Sequence, residues 1–193
     1  MGKNRAVVRT RRSVADDPTR TARVVVALCA VLASGGCIAA SLLSWLILPD
    51  GAGATTSVSG WGAICGGSQI AGENINDALN GNATFRPGVP AVLIGAVALL
   101  AAVSMAVFSA GPKPMRIPAA VLTLCGLGGL IWGIVRGTAP DSLGLLDPGV
   151  GGSGAGPWLT ASCSAILAGV AVVVFTGLLD PPPTASRPRR KWG

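Results

Sequence analysis

Four long uncharged apolar stretches constrain this chain more than any other feature of its sequence. They contain no Asp, Glu, Lys or Arg and run from Val24 to Leu48, Val89 to Ala110, Pro118 to Val135 and Trp158 to Leu179. About 20 residues, each rising about 1.5 Å along a helix, cross a hydrocarbon core of about 30 Å. A backbone in lipid must be helical or part of a closed barrel, and these stretches are too long for barrel strands. The sequence therefore predicts an all-α fold, an integral membrane four-helix transmembrane bundle.

The first stretch has two competing interpretations, a signal peptide and a lipoprotein signal. A signal peptide has an apolar core of about 7–15 residues, which is much shorter than this stretch. The segment L-A-S-G-G-C at 32–37 resembles a bacterial lipobox, but Ser34 stands where a large aliphatic residue is expected. Apolar sequence also continues well beyond Cys37. We therefore interpret the stretch as a membrane anchor.

The composition excludes most catalytic chemistry. The chain has 193 residues, only 12% of them charged and none of them histidine, whereas soluble domains carry about 25% charged residues. Histidine is the usual general base and the commonest metal ligand, so Ser-His-Asp and Cys-His catalysis and most zinc sites are excluded. The uncharged spans also lack the ionisable residues that relay protons or sense voltage. The sequence predicts no catalytic residue, no cofactor and no metal, hence not an enzyme.

The distribution of lysine and arginine predicts the topology. All 15 of them except Arg86 and Arg136 fall in the N-terminal tail (1–23), the loop at 111–117 and the C-terminal tail (180–193). Cytoplasmic segments carry this excess of positive charge, so both termini are expected in the cytoplasm. Outer loop 1 is then the 40-residue segment 49–88, and outer loop 2 is 136–157. The basic tails suit anionic lipid headgroups, and we expect no nucleic-acid partner.

Outer loop 1 contains the candidate interaction residues. Trp61 lies in the segment S-G-W and suits a membrane interface. The segment from Gly72 to Gly81 predicts a two-turn helix that places Glu73 and Asp77 one turn apart. Paired carboxylates suggest acid–base chemistry or calcium binding, but with no third ligand a solvated face is favoured.

Five cysteines leave one open question. Cys29, Cys37 and Cys125 lie within the apolar stretches and are interpreted as packing residues. Cys65 lies in outer loop 1, and a disulfide to Cys163 would require the loop to enter the mouth of the bundle, because the two Cα atoms must lie about 4.4–6.8 Å apart. An intermolecular disulfide and a free thiol stay open as alternatives.

Small residues spaced four apart predict how the helices pack. Helices in lipid associate through close contact of small side chains, since lipid tails are as apolar as leucine. The predicted packing pairs, one on each helix, are Gly36 and Ala40, Ala98 and Ala102, Gly129 and Gly133, and Ala165 and Gly169.

Two resemblances follow from short motifs. L-L-S-W at 42–45, S-G-W at 59–61 and G-P-W-L at 156–159 resemble small four-span membrane proteins of high-GC actinobacteria, including those associated with tryptophan operons. These proteins have no established reaction, so the resemblance implies a bacterial plasma (inner) membrane location. The order of Trp45, Gly60, Trp61 and Cys65 is similar to that in claudin-type tetraspan proteins, although the spacing differs and a second loop cysteine is missing. That resemblance implies an outer loop that contacts other proteins.

These observations together predict a non-enzymatic accessory or scaffold protein of a bacterial cell-envelope complex. It would use outer loop 1 to contact a membrane-protein partner or a second copy of itself. The alternative is a small exporter or a holin-like pore formed by oligomerisation, because uncharged spans with serine on their faces permit one.

Overall fold

The computed structural model describes residues 18–49, 55–66, 71–78, 84–107, 112–143 and 151–178. Within these ranges the long helices are α1 (Pro18–Ala40), α3 (Gly88–Val107), α4 (Pro112–Thr138) and α5 (Ala155–Phe175), and α2 (Ile75–Ala78) is a single turn. The four long helices are each long and apolar enough to cross a membrane. The chain is therefore a multi-pass membrane protein. The predicted lipid contacts of the tails, at residues 1–17 and 179–193, lie outside the described residues.

The four long helices form a ring in which each packs on two neighbours. α4 packs most extensively on α5 and α1 on α3, and the contacts of α1 with α5 and of α3 with α4 complete the ring. The core between them consists largely of alanine, cysteine and leucine side chains, with Ala98, Leu122 and Leu167 fully buried. Small side chains allow the close helix approach that stabilises a bundle in lipid.

A small antiparallel sheet covers one end of the bundle, so the prediction of an all-α fold is wrong. Its strands are β1 (Ser44–Pro49), β2 (Thr55–Ser59), β3 (Ile64–Gly66) and β4 (Gly152–Ser153), in the order β3-β2-β1-β4. The first three come from the segment between α1 and α3, and β4 comes from the segment between α4 and α5. We call this end, where α1 finishes and α5 begins, the sheet end.

The prediction of one helix from Val24 to Leu48 is also wrong at its C-terminal part. α1 ends at Ala40, and its last carbonyls accept hydrogen bonds from the backbone N–H groups of residues 41–43 in a tight turn. The chain then continues as β1, whose Trp-Leu-Ile-Leu run has side chains favoured in strands. The first two side chains of this run are buried and the other two are partly buried. Hydropathy alone cannot distinguish such a run from one that is buried in lipid.

The segment predicted as a 40-residue loop is largely folded. Strand β1 pairs with β2, β2 pairs with β3 in a hairpin, and the chain at 71–78 folds back on that hairpin. The predicted helix from Gly72 to Gly81 is described only as the short α2, and residues 79–83 lie outside the described ranges.

The remaining helix ends differ from the predicted bounds by a few residues. α4 extends beyond the predicted 118–135 at both ends, so that Pro118 lies inside the helix and Arg136 lies in its last turn. α3 begins at Gly88, and residues 108–110 of the predicted span 89–110 lie outside the described ranges. α5 runs from Ala155 to Phe175 in place of the predicted 158–179. Charged residues end an apolar stretch without ending the helix, since they are tolerated near the ends of a span.

Candidate functional site

Trp45 is the residue that joins the sheet to the bundle. The pairing of β1 with β2 shifts register between Ser44 and Leu46, and a bulge of this kind re-aims a side chain. Trp45 is only 2% exposed, and its indole N–H donates to the Ala40 carbonyl oxygen at 2.9 Å. The Trp45 side chain therefore donates a hydrogen bond to the end of α1, where carbonyl groups lack partners within the helix.

Glycines make room for this indole on two other elements. A Cβ built on Gly156, in the first turn of α5, would lie 2.5 Å from Cδ1 of Trp45. A Cβ built on Gly60, after β2, would lie 2.8 Å from Nε1. Such distances are shorter than real Cβ contacts, so only glycine fits at either position without displacement. The short motif S-G-W thus contains a packing requirement at Gly60.

The turn after β2 is also fastened to the helices through the backbone. The N–H of Gly60 donates to the Leu43 carbonyl oxygen at 3.2 Å, and the N–H of Gly88 donates to the Gly60 carbonyl oxygen at 2.9 Å. Gly88 is the first residue of α3. Because the turn after β2 is bonded both to the turn that follows α1 and to the first residue of α3, the hairpin has a defined position over the bundle.

Helix α4 reaches the same junction through Trp132 and Arg136. The Trp132 indole N–H donates to the Pro87 carbonyl oxygen at 3.2 Å. The Arg136 guanidinium lies over the Trp132 ring at 5.9 Å from its centroid, and Nη2 donates to the Pro140 carbonyl oxygen at 3.3 Å. Arg136 is only 3% exposed. A cation over an aromatic face is attracted by the ring quadrupole, so the Trp132 ring and the Pro140 carbonyl oxygen offset part of the cost of burying this charge.

Sequence reasoning placed Arg136 in outer loop 2 and missed this role. The signal that could have found it is the spacing of Trp132 and Arg136, which puts both side chains on one face of a continued helix.

Two asparagines hold the chain at 71–78 against the hairpin. Asn76 Oδ1 accepts from the Phe85 N–H at 2.6 Å, and Asn76 Nδ2 donates to the Phe85 carbonyl oxygen at 3.2 Å and to Asn74 Oδ1 at 2.8 Å. Asn74 Nδ2 donates to the Trp61 carbonyl oxygen at 3.3 Å. Phe85 itself is fully buried in the apolar cluster beneath the sheet. The asparagine side chains therefore couple this exposed segment to a buried aromatic anchor.

The four predicted interaction residues occur in this one region. Trp61 is 40% exposed, and its indole N–H donates to Ser41 Oγ at 3.2 Å. Cys65, Glu73 and Asp77 are exposed. The Glu73 carbonyl oxygen accepts from the N–H of Ile64, which precedes Cys65 in β3. We call these four exposed residues, Trp61, Cys65, Glu73 and Asp77, together the hairpin surface.

Cys65 and Cys163 do not form a disulfide in this structure. Both thiols are free, with Cys65 exposed in strand β3 and Cys163 buried in the bundle core. The described part of the loop does not enter the bundle mouth, because the hairpin is held over the helix ends by Gly60 and its backbone hydrogen bonds.

The predicted packing residues on the first three spans lie in helix contacts. Ala40, Ala98 and Ala102 are fully buried. Cβ atoms built on the three glycines would meet α5: Cys163 Sγ at 2.5 Å from Gly36, Ser164 Cβ at 3.1 Å from Gly129, and the Pro157 carbonyl oxygen at 2.6 Å from Gly133. These glycines bring α1 and α4 close to α5.

The predicted packing residues on α5, Ala165 and Gly169, face away from the other described helices of the chain. Both are exposed, and a Cβ on Gly169 would meet nothing within 4 Å. α5 instead packs on α4 through Ala161, Ser164 and Ala168. Two small-residue registers exist on α5, and the spacing of small residues alone does not distinguish them.

Comparisons with protein-family models, with curated proteins and with solved structures gave no match. Among the described residues, no group of three or more Cys, Asp and Glu side chains is arranged to hold a metal ion. The geometry of the sheet end is therefore the basis for inferring a function.

Proposed function

We propose that this protein is a non-enzymatic accessory or scaffold protein of a bacterial cell-envelope complex, and that the hairpin surface contacts its partner. It spans the plasma membrane with both termini in the cytoplasm, and the sheet end faces outwards. The partner is another membrane protein or a second copy of this chain.

The observation that carries the proposal is the junction around Trp45. Contacts from α1, α3 and α5, together with the Trp132 bond to Pro87, hold the sheet on the bundle. A rigidly mounted surface loses little conformational entropy when a partner binds, which favours recognition. The hairpin surface combines a half-exposed tryptophan with two acidic side chains, and tryptophan is enriched among residues that dominate binding.

The two resemblances agree with this proposal in different ways. Claudin-type proteins suggested an outer segment that contacts other proteins, and here the chain between α1 and α3 contributes three strands to a sheet. The actinobacterial four-span proteins suggested the membrane and the host. The distribution of arginine and lysine supports the orientation, because the sheet end has few basic residues.

The pore alternative has less support. The bundle interior is filled by side chains such as Ala98, Leu122 and Leu167, which have no exposed surface. A pore would have to form between subunits. Lipid vesicles that contain the purified protein are expected to retain a small entrapped dye, and dye release that depends on protein density would favour the pore.

In-cell photo-cross-linking tests the proposed contact. A photoreactive phenylalanine derivative at Trp61 is expected to yield a discrete protein adduct, identified by mass spectrometry as a partner or a second copy. The matched control is the same derivative at Trp158, which is 47% exposed but lies at the start of α5. If position 61 gives lipid adducts only, or if position 158 gives the same adduct in equal yield, the hairpin surface is not the contact.

A further inference from the structure

Two cysteines from the first and last spans meet inside the bundle near the sheet end. Cys37 is fully buried near the end of α1, and its Sγ lies 3.7 Å from Ser164 Oγ on α5. The neighbouring Cys163 lies against α1 so closely that a Cβ on Gly36 would be 2.5 Å from Cys163 Sγ. The two thiols lie at adjacent positions across the same interface, with Cys163 beside Gly36 and Cys37 beside Ser164. Two nucleophilic groups thus share one contact between α1 and α5.

The absence of a side chain at Gly36 is what permits this contact. Cys163 occupies the space that a Cβ would take, so its sulfur reaches the backbone of α1 one residue before Cys37. Two alanines at positions 37 and 163 would fill the interface without requiring glycine at position 36. The proposal rests on this geometry and does not depend on the partner contact proposed above.

Two products of such a dithiol differ in charge. A soft monovalent cation held by two thiolates leaves a net negative charge in an apolar core, where an uncompensated charge is costly. A disulfide is neutral and needs no compensation. The chemistry of the surroundings therefore favours the disulfide over metal binding.

We propose that Cys37 and Cys163 form a reversible disulfide that links α1 to α5 inside the membrane. One S–S bond forms and two S–H bonds break. The two electrons and the two protons pass to a lipid-soluble two-electron oxidant of the quinone class, which becomes the hydroquinone. The disulfide joins the first and last helices of the ring at one of its four helix contacts.

The test counts thiols in the full-length protein in lipid nanodiscs. Reduced protein is treated with duroquinone, whose fully substituted ring does not add thiols, and separately with copper phenanthroline. It is then denatured and labelled with a maleimide that carries polyethylene glycol, so that each free thiol adds one step in gel mobility. The wild-type protein is expected to pass from five labelled thiols to three, and dithiothreitol is expected to restore five.

Single alanine variants identify the pair. C37A and C163A are expected to keep all four remaining thiols, whereas C65A and C125A are expected to pass from four to two. C125A is the matched control, because Cys125 is buried in the same core. Five retained thiols in the wild-type protein under both oxidants overturn the disulfide, and so does a loss of two thiols in C37A or C163A. A loss of two with copper phenanthroline alone overturns the quinone-class oxidant.

Discussion

The indole of Trp45 in strand β1 lies against Gly156 in the first turn of α5, so closely that a Cβ on Gly156 would be 2.5 Å from Trp45 Cδ1. These residues are 111 positions apart in the chain. Their contact joins the segment between α1 and α3 to the start of α5. The same indole bonds the end of α1. Trp45 and Gly156 therefore form the most informative pair for mutation.

Gly156→Ala is expected to destabilise the protein. The added methyl group collides with a buried, rigid ring rather than with the end of a flexible side chain, and overpacking of this kind costs about 1–3 kcal/mol. The measurement is thermal unfolding in detergent, followed by circular dichroism. Gly169→Ala on the same helix is the control, because its Cβ would meet nothing within 4 Å. Equal melting temperatures for the two variants would contradict the close contact at Trp45.

Trp45→Phe is expected to weaken the junction between sheet and bundle. Phenylalanine keeps an aromatic ring but loses the hydrogen bond to the Ala40 carbonyl oxygen and part of the buried volume, a cost of about 1–3 kcal/mol. Limited proteolysis should then release fragments cleaved between α1 and α3. Trp158→Phe, at a half-exposed site, should leave the cleavage pattern unchanged. If the segment between α1 and α3 resists proteolysis equally in both variants, Trp45 does not hold the sheet on the bundle.

Asn76→Ala is expected to loosen the segment at 71–78 without unfolding the bundle. The variant loses two hydrogen bonds to Phe85 and one to Asn74. Hydrogen–deuterium exchange at the Phe85 amide should accelerate about 10- to 100-fold, since local opening governs exchange. Asp77→Ala is the neighbouring control and should leave that amide protected. Unchanged exchange in Asn76→Ala would rule out the proposed anchoring.

Gly129→Ala is expected to separate α4 from α5. Its Cβ would approach Ser164 Cβ to 3.1 Å and Ile94 Cγ2 to 3.3 Å, whereas a Cβ on the adjacent Gly128 would meet nothing within 4 Å. Gly129→Ala should lower the melting temperature in detergent. Gly128→Ala should leave it unchanged or raise it, because alanine is a better helix former by about 1 kcal/mol. The reverse order would place the wrong face of α4 in the bundle.

The four spans were predictable from the sequence because uncharged stretches of this length have few structural alternatives. The strand Ser44–Pro49 was not, since its apolar residues continue the hydrophobic run of α1 without interruption. Its partner strand β2 is Thr- and Ser-rich and gives little apolar signal. Pairing between a hidden strand and a polar strand depends on tertiary contacts that hydropathy does not record.

The candidate site was predictable in its members but not in its construction. Trp61, Cys65, Glu73 and Asp77 were recognisable as exposed residues of one segment. Their support comes from elsewhere, namely from Trp45, Gly156 and the asparagine bonds to Phe85. Gly156 must be glycine because the indole of Trp45, distant in sequence, occupies the position of its Cβ. No pattern in the neighbouring sequence reveals this requirement.

Thiol labelling in cells tests the central claim most directly, namely that the sheet end is mounted on the outer side of the membrane. Cys65 is exposed on β3, and the other cysteines lie within the membrane-length helices. A membrane-impermeant maleimide is expected to label the wild-type protein on intact cells and to leave C65S unlabelled. On the C65S background, Ser186→Cys in the C-terminal tail should react only after the membrane is opened. Labelling of Ser186→Cys on intact cells, with Cys65 protected until the membrane is opened, would contradict the account.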